Sequence, residues 1–484
     1  MNYVIALDEG TTSTRTVIYN IHSQKIEKVI NVPIKQYYPK PSYVEESATE
    51  IYSASLGVLV EAIETVGVEK LLGIAITNQR ESVIAWERST GKPLYNAIIW
   101  QCRRTMDYCK QIEQTHGEMI KQKTGLKVDA YFSASKMRWL LKNVPEVKDA
   151  LNRNDLCLGT IESFLIFKLT QGKSFVTDYT NASRTMLYNI NTFEWDSELL
   201  NLFEVPISVL PTVVSPDSVL GEFEYLGRKI KIAGSAGDQQ AAAVGQGCFE
   251  PGQAKITYGT GMFMLANIGE NIKQSESLLT TLGYGKTPVY MFEGSVFNAG
   301  SAVQWLRDEL EFFKDSARSE KLATKVKDTG GVYVVPAFTG LGSPYWNSEA
   351  TGLITGIRRD TSKAHITRAV LESMAYSARD LLEIIEKEGQ IKLESLRVDG
   401  GASQNNFLMQ FQADVSNCVV DRPIERESTA LGAVYLCQIA LGIRSIDEIS
   451  KLRTSDKIFN PSTDREKYQN LYDGWKKAIE RCLL

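Results

Sequence analysis

The chain has 484 residues, of which 43% are hydrophobic and 23% charged, with a formal net charge of −4 at pH 7. Single cores stop growing near roughly 250 to 300 residues, so two large domains or three ordinary ones are expected, and the composition excludes a disordered chain. The near-balanced charge, without a long block of Lys and Arg, excludes extended phosphate contacts to nucleic acid and strong attraction to anionic membranes.

Seven cysteines, Cys102, Cys109, Cys157, Cys248, Cys418, Cys437 and Cys482, are scattered with no Cys-x-x-Cys pair. They predict reduced thiols, a cytoplasmic setting and no structural zinc. The histidines His22, His116 and His365 lie in no site-like segment, which argues against a His base or a His-ligated metal. The opening MNYVIALDEG shows no basic leader, and no apolar stretch approaches the roughly 20 residues that span a bilayer.

In chain order, residues 2–8 and 15–21 read as two strands joined by a polar turn, a β-hairpin. Helical periodicity covers 48–66, and 71–77 reads as a strand. Strands alternating with helices over the first 240 residues predict a mixed or parallel sheet covered on both faces. The order recurs later: a strand, a Thr/Gly turn and a strand over 254–268, a helix over 302–313, an amphipathic helix over 362–389, a strand, turn and helix over 395–415, and a helix over 429–442. Two halves, each opening with a hairpin whose tip is rich in Gly, Thr and Ser, suggest an internal duplication with a break near 245–251.

Several turns carry chemistry. The tip D-E-G-T-T-S-T-R (8–15) gathers hydroxyls, backbone N–H groups and a carboxylate, which suits phosphate oxygens and a cation; Asp and Gly would equally serve turn geometry. T-Y-G-T-G (257–261) repeats the tools in the second half. D-G-G-A-S-Q-N-N (399–406) links a strand to a helix and suits either a flat ligand on bare backbone or an Asn or Ser cap. Arg80 and Glu81 follow a strand-like run and can reach one ligand only if the strand ends or bulges there; a generic surface pair is the alternative. Asp238 stands between a strand and a helix, where it is either a helix cap or a cleft-facing acid. A P-loop is rejected, because Phe167 stands five residues before Gly172-Lys173-Ser174 where glycine is required.

These pieces, with the blocks N-A-I-I-W-Q-C-R-R-T (96–105), D-A-Y-F-S-A-S-K (129–136), T-D-Y-T-N-A-S-R-T-M-L (177–187), A-G-D-Q-Q-A-A (236–242), P-A-F-T-G-L-G-S-P-Y-W (336–346) and V-D-G-G-A (398–402), make the chain resemble the FGGY carbohydrate kinases. The likeness runs nearly end to end and is strongest to members acting on glycerol. It implies an α/β fold of two actin-like (ribonuclease H-like) domains, mixed sheets flanked by helices, with a cleft between them. Residues 1–246 would bind glycerol and 247–484 the nucleotide.

The resemblance implies ATP-dependent transfer to glycerol, giving sn-glycerol 3-phosphate, with Mg²⁺ and no covalent intermediate. Asp238 would be the general base. Arg80, Glu81, Tyr131, Asp238 and Gln239 would hold the hydroxyls, and Trp100 and Phe263 the apolar face. Nucleotide contacts carry over to Thr11, Thr12, Ser13, Arg15, Thr260, Gly261, Gly300, Gln304, Gly401 and Asn405, and metal contacts to Asp8, through water, and Asp238. A homodimer or homotetramer is implied, without nucleic acid or membrane insertion.

Three features depart from relatives. The short stretch 221–232 replaces a longer loop that binds fructose 1,6-bisphosphate or carries a phosphorylatable His, so neither control is expected. Glu9 stands where Gln is common, and Glu162 where Asp is usual. A kinase of xylulose or gluconate, or an actin- or chaperone-like ATP switch, remains a rival; the absence of G-x-G-x-x-G after the first strand disfavours a nicotinamide dehydrogenase.

Overall fold

The first strand is a run of apolar residues long enough to be buried on both faces. In the computed structural model, which describes residues 2–347 and 349–484, it becomes β1 (Tyr3–Glu9) and pairs antiparallel with β2 (Ser13–Asn20), itself antiparallel to β3 (Lys25–Pro33). Side chains alternate across a strand. Ile5 and Leu7 therefore join Ile51, Val58, Leu59 and Ile63 of the helix Ala48–Val66, while Val4 and Ala6 join Ala430, Val434 and Cys437 of the helix Ser428–Ala440.

Next to β1, β4 (Leu71–Asn78) runs parallel; then come β5 (Val219–Tyr225) and β6 (Arg228–Gly237). The sheet order is β5-β6-β4-β1-β2-β3, with β6 parallel to β4 and β5 antiparallel at the edge. The expected short stretch 221–232 is thus a hairpin whose turn, Leu226 and Gly227, has positive φ at both residues (48° and 73°), the turn that matches strand twist. A smaller sheet includes Val83–Glu87 and Leu156–Thr160, and Trp86 packs there against Phe164, Phe167 and Phe175.

Residues 1–249, 280–289 and 427–452 form one compact unit; 250–279, 290–426 and 453–484 form the other. A boundary at 246 is therefore crossed twice by later segments. The helix Ser428–Ala440 is apolar all round and supplies a face of the first unit's core, which ties it to residues more than 400 positions earlier.

The second unit repeats the strand directions of the first. β7 (Gln253–Tyr258), β8 (Met262–Gly269) and β9 (Val289–Val296) are antiparallel, β10 (Ser395–Asp399) and β11 (Val419–Pro423) continue in parallel from β7, and β12 (Ser455–Phe459) is antiparallel at the edge. The helices Lys363–Gly389 and Asn406–Ser416 lie where periodicity placed them. The helix expected over 302–313 instead spans Gly300–Asp308. It closes because Glu309 and Leu310 both donate to the Trp305 carbonyl and Glu311 turns to φ 52°.

Among the described residues no helix is long and apolar enough to cross a membrane.

Candidate active site

Three neighbouring parallel strands end together in the first unit. Glu9 of β1 lies opposite Asn78 of β4, and Asn78 opposite Gly237 of β6. The residues after each strand therefore leave the sheet at one edge, the carboxyl edge where α/β sheets bind ligands. Asp8 and the tip 10–12 come from β1, Arg80 and Glu81 from β4, and Asp238 from β6.

Arg80 and Glu81 are buried and act on the same side, which a regular strand forbids. The strand has ended: Glu81 has φ 63°, and the Ser82 N–H donates to the Arg80 carbonyl at 2.8 Å, a three-residue turn that stores strain at a polar site. Arg80 Nε lies 3.1 Å from Asp238 Oδ1 and 3.7 Å from Glu81 Oε1, while Nη1 donates to Gln240 Oε1 at 3.2 Å. A Cβ on Gly237 would sit 2.6 Å from Arg80 Cγ, so glycine there gives the arginine passage.

Asp238 opens the helix Asp238–Gly245, and Gly237 occupies the cap position. Asp238 Oδ1 accepts the Gln239 backbone N–H at 2.8 Å, and Oδ2 the Gln239 Nε2 at 3.3 Å. One oxygen thus faces its own helix and Arg80, and the side chain remains 34% exposed. The helix is pressed against Ser428–Ala440 with backbones touching: a Cβ on Gly432 would lie 1.7 Å from the Ala241 carbonyl oxygen.

Trp100 and Tyr131 meet edge to face at 5.7 Å, and Trp100 Nε1 donates to Thr11 Oγ1 at 3.0 Å, linking this aromatic corner to the hairpin tip. Two residues that sequence reasoning missed stand behind it. Arg184 Nε donates to Glu81 Oε1 at 2.6 Å, and Lys136 Nζ donates to the carbonyls of Glu81, Tyr131 and Phe132. Burial pushes Lys136 down to about 8. The available signal was a lysine on the buried face of the helix Ser133–Asn143, beside Met137 and Leu140.

Glu162 also acquires a place. Fully buried, it accepts from Thr160 Oγ1 at 2.5 Å, Thr177 Oγ1 at 2.6 Å and Asn78 Nδ2 at 2.9 Å. Asn78 bonds in turn to Asn181, and Asp178 accepts from Asn181 and from Ser235 of β6. Burial, with Asp178 nearby, raises the Glu162 carboxyl. The network ties the ends of β4 and β6 together, one turn away from Arg80 and Asp238.

At the tip, Arg15 clasps Asp8 Oδ2 through Nε and Nη2 at 2.8 and 2.7 Å and reaches Glu427 at 2.7 Å. Burial raises the Asp8 carboxyl, Arg15 opposes this, and the Asp238 charge adds to the rise. Beneath it Glu9 is pushed up to about 8 and Glu46 to about 7, both chiefly by burial. Gln79 bridges Glu46 Oε2 to the site, since it also accepts from Ser82 Oγ, which in turn accepts the Trp100 backbone N–H. Thr11, Thr12 and Ser13 lie at this tip, partly or fully exposed.

Within the second unit, strand ends also gather at one edge. Thr257 of β7 lies opposite Asp399 of β10, so the tip 259–261 and Gly400-Gly401 leave adjacent strand ends. Gly300 packs on this tip: its N–H donates to the Gly259 carbonyl, and a Cβ there would be 2.4 Å from that oxygen. Gly401 has open space around it, Gln304 is exposed, and Asn405 caps the helix Asn406–Ser416 by accepting the Leu408 N–H at 3.0 Å. Phe263 lies on β8 opposite Thr257 and Ser295, and Thr260 stands at the tip. Asp8, Thr11, Thr12, Ser13, Arg15, Arg80, Glu81, Trp100, Tyr131, Asp238 and Gln239 thus belong to the first unit; Thr260, Gly261, Phe263, Gly300, Gln304, Gly401 and Asn405 belong to the second. Among the described residues no group of three or more His, Cys, Asp or Glu forms a metal cage.

Residues 3–245 match the N-terminal domain of the FGGY family of carbohydrate kinases and 254–441 its C-terminal domain. The chain is 49% identical to glycerol kinase 2 of Thermotoga maritima, over 100% of this chain and 99% of that one, and 50% identical to glycerol kinase of Thermoanaerobacter sp., over 99% and 98%. The structure of Plasmodium falciparum glycerol kinase with ADP superposes with a TM-score of 0.94 at 37% identity, covering 100% of this chain and 99% of that one. A ligand-bound xylulose kinase from Lactobacillus acidophilus, at 24% identity and a TM-score of 0.89 over 100% and 98%, shares the fold. The chain belongs to the FGGY family of carbohydrate kinases.

Proposed function

We propose that this chain transfers the γ-phosphoryl group of ATP to glycerol, giving sn-glycerol 3-phosphate and ADP. The observation that carries the reading is the convergence of Arg80, Glu81 and Asp238 at adjoining strand ends. Identity near 50% to chains named glycerol kinase supports it.

Glycerol is small and neutral, so selection depends on pairing its hydroxyls with both donors and acceptors. Arg80 and Gln239 donate, Glu81 and Asp238 accept, Tyr131 does either, and the Trp100–Tyr131 corner covers C–H surface. Phe263 adds apolar cover in the same reading. A buried Arg–Glu pair left without a hydroxyl partner penalises analogues lacking one.

Asp238 is the general base. Its Oδ1 is engaged by Arg80 and the Gln239 N–H, which aims the carboxylate; Oδ2, with its longer bond to Gln239 Nε2, takes the proton of the attacking terminal hydroxyl. No covalent enzyme intermediate is required, because positioning and charge stabilisation dominate phosphoryl transfer. Thr11, Thr12, Ser13 and Arg15 contact phosphate; Thr260, Gly261, Gly300, Gln304, Gly401 and Asn405 hold the rest of the nucleotide.

Asp8 and Asp238 fit a divalent cation. They lie close enough for the Asp238 charge to raise the Asp8 carboxyl, and Arg15 already holds Asp8 Oδ2, which suits contact through water. Bound Mg²⁺ would supply neutralisation of charge on the phosphate oxygens.

A coupled ADP-release assay across a polyol panel tests the reading. Glycerol is expected to give by far the highest kcat/KM. Preference for xylulose or gluconate, or ADP release at one rate regardless of polyol, overturns it.

A further inference from the structure

Behind the pair Glu81 and Tyr131 lie two fully buried cations, Arg184 and Lys136. Burying a charge is costly, and apolar side chains of similar size serve a core as well or better. Both cations instead converge on the same three residues, Glu81, Tyr131 and Phe132. Arg184 Nε bonds Glu81 Oε1 at 2.6 Å, and its guanidinium lies 5.7 Å from the Tyr131 ring centre and 5.2 Å from that of Phe132. Lys136 Nζ gathers the Glu81, Tyr131 and Phe132 carbonyls, the Phe132 bond being 2.9 Å.

We infer that Arg184, backed by Lys136, is a positioning residue that fixes the Glu81 carboxylate and thereby reserves Arg80 for Asp238 and the polyol. This rests on the reading of Arg80, Glu81, Tyr131 and Asp238 as polyol partners. The geometry gives the reason. Arg80 Nε stands between two carboxylates, 3.1 Å from Asp238 and 3.7 Å from Glu81. With Arg184 bound to Glu81, that carboxylate is already compensated, and Arg80 leans to Asp238. Without Arg184, Glu81 would be a buried charge drawing Arg80 away from the base. Glu81 at φ 63° has little intrinsic preference for its own conformation, so the Lys136 bonds to its carbonyl and to that of Tyr131 hold the turn and the aromatic corner in one frame.

Kinetics of Arg184→Met and Arg184→Lys test this. Arg184→Met is expected to raise KM for glycerol roughly 10- to 100-fold, the loss of one charge-assisted hydrogen bond, and to lower kcat, with KM for ATP within about twofold. Arg184→Lys should recover part of the loss. If Arg184→Met fails to fold, Arg184→Lys is combined with Glu81→Gln: non-additive effects on glycerol kcat/KM support positioning through Glu81. Additive effects overturn it, as does a folded Arg184→Met with unchanged glycerol KM, or with both KM values raised alike. Glu81→Gln alone separates the two readings: if it leaves glycerol KM unchanged, the polyol assignment itself fails; if it raises KM while Arg184→Met does not, the positioning role alone fails.

Discussion

Glu9→Gln is expected to stabilise the protein increasingly as pH rises. Glu9 is fully buried under the hairpin tip, with Oε2 accepting from Ser55 Oγ at 3.1 Å and Oε1 without a hydrogen-bond partner. Burial pushes it up to about 8, against 4.5 for an ordinary glutamate, the bond to Thr14 opposes this, and Glu46 and Asp8 add to it. The folded value lies above the unfolded one, so the native state binds the extra proton. The stability this proton contributes is fully present below pH 4.5 and is lost as pH rises through about 8. The gap corresponds to roughly 4 to 5 kcal/mol. Glutamine keeps the shape and never ionises. Thermal unfolding from pH 5 to pH 9, monitored by circular dichroism, should show the variant close to the parent near pH 5 and several degrees more stable at pH 8.5. A melting difference that is the same at both ends would refute the reasoning, because it would mean Glu9 does not titrate within that window.

Two further substitutions probe packing and the aromatic corner. Gly432→Ala puts a methyl group against the Ala241 carbonyl, forcing two helices apart; a loss of roughly 1 to 3 kcal/mol in denaturant unfolding is expected, with a fall in kcat as the helix carrying Asp238 shifts. Trp100→Phe keeps an aromatic face but removes the bond to Thr11; KM for glycerol should rise roughly 2- to 10-fold in steady-state assays, with stability little changed.

The hairpins and helices were legible because they rest on local rules: β-branched runs around a Gly/Thr turn at 8–15 and 257–261, and a 3.6-residue period over 48–66 and 362–389. The site's chemistry was legible in residue types, since Arg, Glu, Tyr and Asp supply what a polyol needs. Its geometry was not. A positive φ at Glu81 has no residue signature, so the turn that puts Arg80 and Glu81 on one side could only be required, never located. Arg184 was hidden for a different reason: its partner Glu81 is 103 positions away. Glu162 looked like a simple departure from Asp, yet Thr160, Thr177 and Asn78 complete its bonds. Contacts at such separations also explain why the helix Ser428–Ala440 joined the first unit.

Asp238→Asn is the most direct test of the account, measured as single-turnover phosphoryl transfer alongside ATP binding. Loss of the proton acceptor at unchanged shape should lower the rate roughly 10²- to 10⁴-fold while ATP affinity stays within about twofold of the parent. Near-parental turnover would contradict the assignment of this carboxylate as the base.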